Sequence, residues 1–148
     1  MTAVKEENIN RLMSAMFTLM LGMKKGVEHC CTMCGNLTEK ELTIISYVGQ
    51  NQNVKMSDIA ENIAAPLSTL TSIVDKLVNN KYLSRYHSSE DRRAVLVALA
   101  SKGIETQNIF IAHKQEMANK ILGEFSLRDQ GMLIKFLEKI PVILKENN

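Results

Sequence analysis

The sequence predicts a mainly α-helical fold with one small β-hairpin. Apolar residues recur three and four positions apart over most of the 148 residues, which keeps one face of each helix apolar. Only the stretches 82–87 and 94–99 depart from this spacing, and both are typical of short strands. The polar run SSEDRR lies between them, so we expect a hairpin with a charged tip.

Composition indicates an ordinary globular protein with an aliphatic core. Hydrophobic residues make up 45% of the chain and charged residues 23%, whereas aromatic residues account for only 5%. The N-terminus does not resemble a secretory signal, and the longest nearly apolar stretch, 15–23, is too short to span a membrane. An odd number of cysteines, three, does not suggest a disulfide framework. We therefore expect a cytoplasmic protein that does not associate with a membrane.

Four helices are expected before the hairpin. The first covers 8–28, and Gly35 with Asn36 should end this region. A capping box, Thr38 with Glu41, begins the second helix. The third helix is 56–63. The fourth follows Pro66 and carries one apolar stripe, made of Leu67, Leu70, Ile73, Val74 and Leu77.

Two long helices should follow the hairpin, at about 101–122 and 126–144. Ser126 is the expected N-cap of the second, and Pro141 should kink or shorten it. Its broad aliphatic face makes it a candidate dimer interface, through Leu133, Ile134, Leu137, Ile140 and Leu144.

The predicted order of elements is that of a winged helix-turn-helix between long terminal helices. We expect one protomer, 1–148, with a DNA-binding lobe at 37–100. The helical dimerisation region would comprise 1–34 and 101–148.

Two stretches resemble the MarR family of winged helix-turn-helix transcriptional regulators. They are LSTLTSIVDKL at 67–77 and SEDRRAVLVALASKG at 89–103. The second matches the family's wing pattern at Asp91, Arg93, Val95, Val97, Leu99 and Gly103. Ala100 and Ser101 stand where the family usually has Leu followed by Thr.

The resemblance implies that helix 66–79 enters the major groove of double-stranded DNA. Arg93 would enter the minor groove, and Asp91 would orient it. The hydroxyls expected to face DNA belong to Ser68, Thr69, Thr71 and Ser72. Further candidate contacts are Lys76, Arg85, His87 and Arg92.

The chain departs from the family pattern in two places. Ser72 stands where an Arg or Lys is frequent, so hydroxyl or water-mediated contact would replace guanidinium readout. Lys81 stands where a helix-ending Gly is frequent, and we expect Asn80 to take the left-handed conformation instead.

Charge gives modest support for DNA binding. Formal net charge is only +2, but residues 66–93 alone hold five basic side chains against three acidic ones. Solvated surface charge is the competing explanation for Lys76 and Lys81, and an ordinary surface histidine is the simpler explanation for His87.

Three cysteines form the most unusual segment, HCCTMCGN at 29–36. Cys30 and Cys34 would share a helix face, while Cys31 and Cys34 have the spacing of a zinc knuckle. Three interpretations stay open: packing, a redox switch, or a metal site. The metal site would need two further ligands.

The sequence predicts a DNA-binding transcriptional regulator, a repressor, that acts as a homodimer on a pseudo-palindromic operator. A small-molecule effector, or oxidation or metal binding at the cysteines, would control it. No enzyme and no cofactor are expected, because the chain lacks a Ser/His/Asp order, a glycine-rich phosphate loop and evident paired carboxylates. The alternative is a winged-helix protein-interaction module without DNA binding.

Overall fold

The structure, a computed structural model, describes residues 3–145 and confirms a helical fold with a small antiparallel sheet. Four helices precede the hairpin: α1 (Glu6–Met33), α2 (Glu39–Gln50), α3 (Met56–Ile63) and α4 (Leu67–Asn79). Two follow it, α5 (Ser101–Gly123) and α6 (Leu127–Lys145). The strands are β1 (Val54–Lys55), β2 (Leu83–His87) and β3 (Val95–Leu99).

The chain forms two compact units, the first ending at Phe110 and the second beginning at Ile111. The first contains α1 to α4, the sheet and the start of α5, and the second contains the remainder of α5 and α6. The limits expected for the DNA-binding lobe and the dimerisation helices stay predictions. Of the residues assigned to those helices, 1–2 and 146–148 lie outside the described residues.

The expected helix starts are confirmed. Thr38 Oγ1 accepts from the Glu41 amide at 3.2 Å, and a Glu41 carboxylate oxygen accepts from the Thr38 amide at 2.7 Å. Ser126 Oγ accepts from the Asp129 amide at 3.3 Å. Each bond satisfies a backbone donor that a helix leaves without an intrahelical partner.

Helix α1 runs further than its apolar spacing predicted, as far as Met33. Cys30 and Cys31 therefore lie in its last turns, and Cys34 is its C-cap. Gly35 and Asn36 then take positive φ angles of 95° and 58°, which turn the chain away from the helix axis.

The sheet has the strand order β1-β3-β2, and both pairs are antiparallel. The hairpin pairs Leu83 with Leu99 and His87 with Val95. Strand β1 was not expected, because two residues are too few to show an alternating pattern. Its pairing of Val54 with Val97 attaches the start of α3 to the wing.

The core lies where α4 packs with α2, α3 and the sheet. Leu70, Val74 and Leu77 of α4 are almost fully buried, and so are the inward residues of the neighbouring elements, Ile44, Ile45, Ile59, Leu83 and Val97. Burying each such side chain contributes about 1.5–3 kcal/mol of transfer free energy. The inner face of α4 is therefore the face that fixes its position.

Leu67 corrects the predicted stripe of α4, because its side chain is 56% exposed. It is the first residue of the helix, and burial on α4 begins one turn later, at Leu70.

The end of α4 also differs from expectation. Asn80 has φ −91°, and Lys81 takes the left-handed conformation with φ 65°. The amide of Lys81 donates to the Val78 carbonyl, and the amide of Tyr82 donates to the Leu77 carbonyl. This pair of bonds is a Schellman motif, which requires the left-handed residue one position beyond the C-cap.

Pro141 does not shorten α6, which continues to Lys145. A proline removes one backbone hydrogen bond, but the residues that follow it here remain helical. Within residues 3–145, no helix is both long enough and apolar enough to cross a bilayer.

Tyr82 lies against two glycines. A Cβ at Gly103 would overlap the Tyr82 backbone oxygen, and a Cβ at Gly35 would lie 2.6 Å from the Tyr82 hydroxyl. The absence of a side chain at both positions therefore lets the chain approach Tyr82 closely.

Gly103→Ala is expected to lower the free energy of unfolding by about 2 kcal/mol or more, because backbone must move to admit the methyl group. Urea denaturation at fixed protein concentration measures the change. Gly22→Ala is the control, since nothing lies within 4 Å of a Cβ there and alanine favours a helix interior. Equal stability of the two variants would contradict the close approach.

Candidate nucleic-acid interface

The outer face of α4 presents hydroxyl groups to solvent. Ser68, Thr69, Thr71 and Ser72 are all exposed. Thr71 Oγ1 donates to the Leu67 carbonyl at 2.8 Å, and Ser72 Oγ donates to the Ser68 carbonyl at 3.4 Å. The face therefore offers small polar groups on a helix whose opposite side is held by the core.

The turn from α3 into α4 is short and hydrogen bonded. Ala64 takes a left-handed φ of 49°, and the amide of Ala65 donates to the Ala60 carbonyl at 3.2 Å. Helix α4 then begins directly after Pro66, whose ring pre-sets the backbone there. This is the helix-turn-helix that the sequence predicted.

The wing tip is braced by short-range bonds. Ser88 Oγ accepts from the amides of Glu90 and Asp91, and Asp91 Oδ1 accepts from the Arg93 amide at 2.9 Å. The amide of Ala94 donates to the Asp91 carbonyl at 2.9 Å. Asp91 thus shapes the backbone turn that carries Arg93, rather than holding its guanidinium.

Both arginines of the tip are exposed, and so is His87 at the end of β2. The ion pairs found between residues 3 and 145 include neither Arg92 nor Arg93. Two guanidinium groups at an exposed hairpin tip are available to an anionic partner.

The remaining two basic candidates are held by carboxylates. Lys76 Nζ lies 2.7 Å from Glu41 Oε1, and Arg85 Nη1 lies 2.5 Å from Asp75 Oδ1. These pairs join α4 to α2 and to β2. In this arrangement Lys76 and Arg85 position the helix as well as carrying charge.

Glu41 is the buried member of the first pair, with a side chain only 5% exposed. Burial alone would raise the pKa of its carboxyl group. The bonds from Lys76 and from Thr38 outweigh burial and hold the pKa below its usual value. The charged form is therefore favoured in the folded state.

Glu41→Gln is expected to destabilise the protein by about 1–2 kcal/mol at pH 7, because the amide loses the charge-assisted bond to Lys76. A carboxyl with a lowered folded pKa stabilises above its unfolded pKa and loses that contribution as pH falls through the folded pKa. The difference from wild type should therefore shrink below about pH 4.5.

Urea denaturation at pH 7, 5.5 and 4 checks this expectation. Glu39→Gln is the matched control, since Glu39 lies in the same helical turn and is exposed. A pH-independent difference between Glu41→Gln and wild type would show that the ion pair contributes nothing to stability.

The three cysteines lie in the interior. Cys30 is fully buried, while Cys31 and Cys34 are 6% and 7% exposed. Cys30 and Cys31 pack with Leu42 and Phe110, and Cys34 belongs to the main core. All three are free thiols.

Burial raises the pKa of each thiol. For Cys30 the negative charge of a Cys34 thiolate adds to the effect, and for Cys31 the nearby Glu39 does. For Cys34 a hydrogen bond with Thr106 offsets burial only in part. The thiolate fraction at neutral pH is correspondingly small, and the thiolate is the form that reacts and binds metals.

No group of three or more His, Cys, Asp or Glu side chains is placed to hold a metal ion in the part of the chain that the structure describes. The observed packing thus favours the first of the three interpretations of the cysteines.

Native protein is expected to react with iodoacetamide at pH 7.5 at least about tenfold more slowly than protein in 8 M urea, because the thiols are buried and protonated. Mass spectrometry of quenched samples measures modification at each cysteine. Fast modification of Cys31 or Cys34 in the native state would instead support a sensor.

Sequence reasoning missed several residues that position the site. Glu41 was predicted only as a capping residue, and Asp75 was only one of the three acidic residues counted within 66–93. Their roles depend on contacts with residues 35 and 10 positions away, for which the helix spacing gives no signal. Tyr82 was predicted only as a strand residue. Its contact with the end of α1, in which its hydroxyl donates to the Cys34 carbonyl at 2.8 Å, was not predicted.

The sequence is similar to a family model and to several HTH-type transcriptional regulators. Residues 37–95 match the MarR family. The chain is 34% identical over 64 residues to the uncharacterized HTH-type transcriptional regulator YfiV of Bacillus subtilis, a match that covers 43% of this chain and 40% of YfiV. It is 27% identical over 108 residues to the HTH-type transcriptional regulator PchR of the same organism, covering 69% of this chain and 62% of PchR. The matches therefore span less than two thirds of either relative.

The fold is also similar to that of a protein whose crystal structure was solved with DNA. The crystal structure of Streptococcus pneumoniae FabT in complex with DNA superimposes with a TM-score of 0.76 and 22% identity, covering 97% of this chain and all of that one. The match over residues 37–95, which contains α2 to α4 and the wing tip, confirms the resemblance to the MarR family found in the sequence.

Proposed function

We propose that this protein is a sequence-specific, DNA-binding transcriptional regulator. One observation carries the proposal: a single lobe combines a helix with an exposed hydroxyl face and a braced hairpin whose tip carries Arg92 and Arg93, which form no ion pair with any residue that the structure describes. An α-helix fits the major groove of DNA, and arginine is favoured in a narrow minor groove. FabT, which shares the fold, has been solved with DNA.

Other features of α4 support the same role. Its first turn carries no acidic residue, so the partial positive charge of its N-terminus is not neutralised there. Backbone amides at such a terminus favour phosphate groups.

We further propose a homodimer. Helix α1 exposes a long series of large apolar side chains, and a surface of this kind on a globular protein indicates an interface. The series comprises Ile9, Leu12, Met13, Met16, Phe17, Leu19, Met20, Leu21 and Met23. Helix α6 has no buried residue and exposes Ile134, Leu137 and Leu144 of the predicted dimer face.

A second copy of the chain covers both faces in this proposal. Two α4 helices would then enter successive major grooves about 34 Å apart, on a pseudo-palindromic operator. Occupation of a promoter by such a dimer excludes the transcription machinery, so we propose repression. An effector that favours another spacing of the two helices would weaken binding.

The observations favour a small-molecule effector over the cysteines as the source of the signal. Thiols that are buried and protonated react slowly with oxidants. The competing function, a protein-interaction module, has no need for two exposed arginines at a hairpin tip.

Arg93→Ala is expected to weaken binding to a selected DNA site by about tenfold and to reduce the slope of log affinity against log salt by about 1, because one cationic contact is lost. Fluorescence anisotropy of the full chain at several salt concentrations, with sites selected from random duplex DNA, measures both quantities.

Arg128→Ala is the matched control, since it removes the same guanidinium charge from an exposed side chain of α6 that forms no ion pair with any described residue. Equal losses from the two variants would show that the wing makes no particular contact. If the wild-type chain selects no DNA at any salt concentration, the protein-interaction function replaces the proposal.

A further inference from the structure

The exposed apolar residue at the start of α4 suggests a means of reading sequence. We propose that Leu67 is a specificity-determining residue that contacts the C5-methyl group of a thymine in the major groove. This inference rests on the proposed function, because it requires α4 to enter DNA.

Neither packing nor helix formation accounts for a leucine at this position. Leu67 is 56% exposed, whereas Leu70, Val74 and Leu77 on the same helix are at most 1% exposed. The first position of a helix favours proline, and the first turn favours acidic residues that complement the helix dipole. An exposed leucine supplies neither, and it leaves a large apolar side chain in water.

The neighbouring side chains extend this apolar surface. Thr71 lies one turn further along the same face, and its hydroxyl is committed to the Leu67 carbonyl at 2.8 Å. With that proton engaged, Thr71 offers a partner only the acceptor side of its oxygen and its γ-methyl group. The hydroxyls of Ser68 and Thr69, which are exposed, provide the polar contacts beside it.

The chemistry of the bases selects among possible contacts. Guanine is read by arginine or lysine, and adenine by asparagine or glutamine, through paired hydrogen bonds. Residues 67–74 contain none of these four residue types. The thymine methyl group is the feature of the major groove that an apolar side chain complements. An A·T pair in each half-site, with its thymine methyl facing Leu67, is therefore expected.

Replacing single thymines by deoxyuridine tests this contact, since it removes only the methyl group. Sites are first selected from random duplex DNA with the full wild-type chain, and each thymine is then replaced in turn. At one position per half-site the replacement should weaken wild-type binding about fourfold, the value of burying one methyl-sized group. Leu67→Ala should bind thymine and deoxyuridine at that position equally.

Two further variants separate Leu67 from its surroundings. Leu127→Ala removes an exposed leucine that also begins a helix, α6, and should keep the wild-type discrimination. Thr71→Ser removes the γ-methyl group but retains the hydroxyl, and should keep most of the discrimination.

The outcomes distinguish this inference from the function on which it rests. If wild type selects a site but no deoxyuridine replacement matters, or if Leu67→Ala still discriminates, Leu67 does not read thymine and the DNA-binding function stands. If discrimination is lost only in Thr71→Ser, the reading residue is Thr71. If wild type selects no site, the proposed function itself fails.

Discussion

Tyr82 joins the segments that carry the winged lobe. Its amide donates to the Leu77 carbonyl at the end of α4, and its carbonyl accepts from the Ala100 amide just before α5. Its hydroxyl donates to the Cys34 carbonyl at the end of α1, and the Lys102 ammonium lies 5.8 Å from the centre of its ring. These bonds, of which the one from the hydroxyl is partly buried, hold the ends of α1 and α4 and the start of α5 together. Gly35 and Gly103 lie beside Tyr82, and a side chain at either position would obstruct this junction.

The basic side chains of the lobe have two different roles. Lys76 and Arg85 are paired with Glu41 and Asp75, which brace α4 against α2 and β2. Arg92 and Arg93 are left for a partner. A chain with a formal net charge of only +2 has little long-range attraction for phosphates, so its non-specific affinity for DNA should be modest. In the proposed function, discrimination among DNA sites would then depend more on short-range contacts of the outer face of α4, including those of Leu67.

Local patterns in the sequence predicted the helices and the hairpin well. The features that were not predicted depend on contacts between residues that are distant in the sequence. The capping box at Thr38 and the stop at Gly35 depend on neighbouring residues only, and both were predicted correctly. The residue with a left-handed φ after α4 was predicted to be Asn80 and is Lys81. The Schellman hydrogen bonds to the carbonyls of Leu77 and Val78 determine this position. Strand β1 exists only through its pairing with β3. In the site, the hydroxyls and arginines were predicted from the family pattern and stay predictions, whereas the ion-pair partners Glu41 and Asp75 became visible only in the fold.

The position of the cysteines limits how oxidation could act. Cys30 has no exposed surface, and together with Cys31 it packs against Leu42. An oxidant must therefore reach these thiols through local opening at the end of α1, and an added oxygen would place a polar group in an apolar cluster. Because the Cys34 carbonyl accepts from Tyr82, the same opening would loosen the junction that fixes the end of α4. Oxidation of this cluster would thus act by destabilising the lobe rather than by a small change in the spacing of two intact recognition helices.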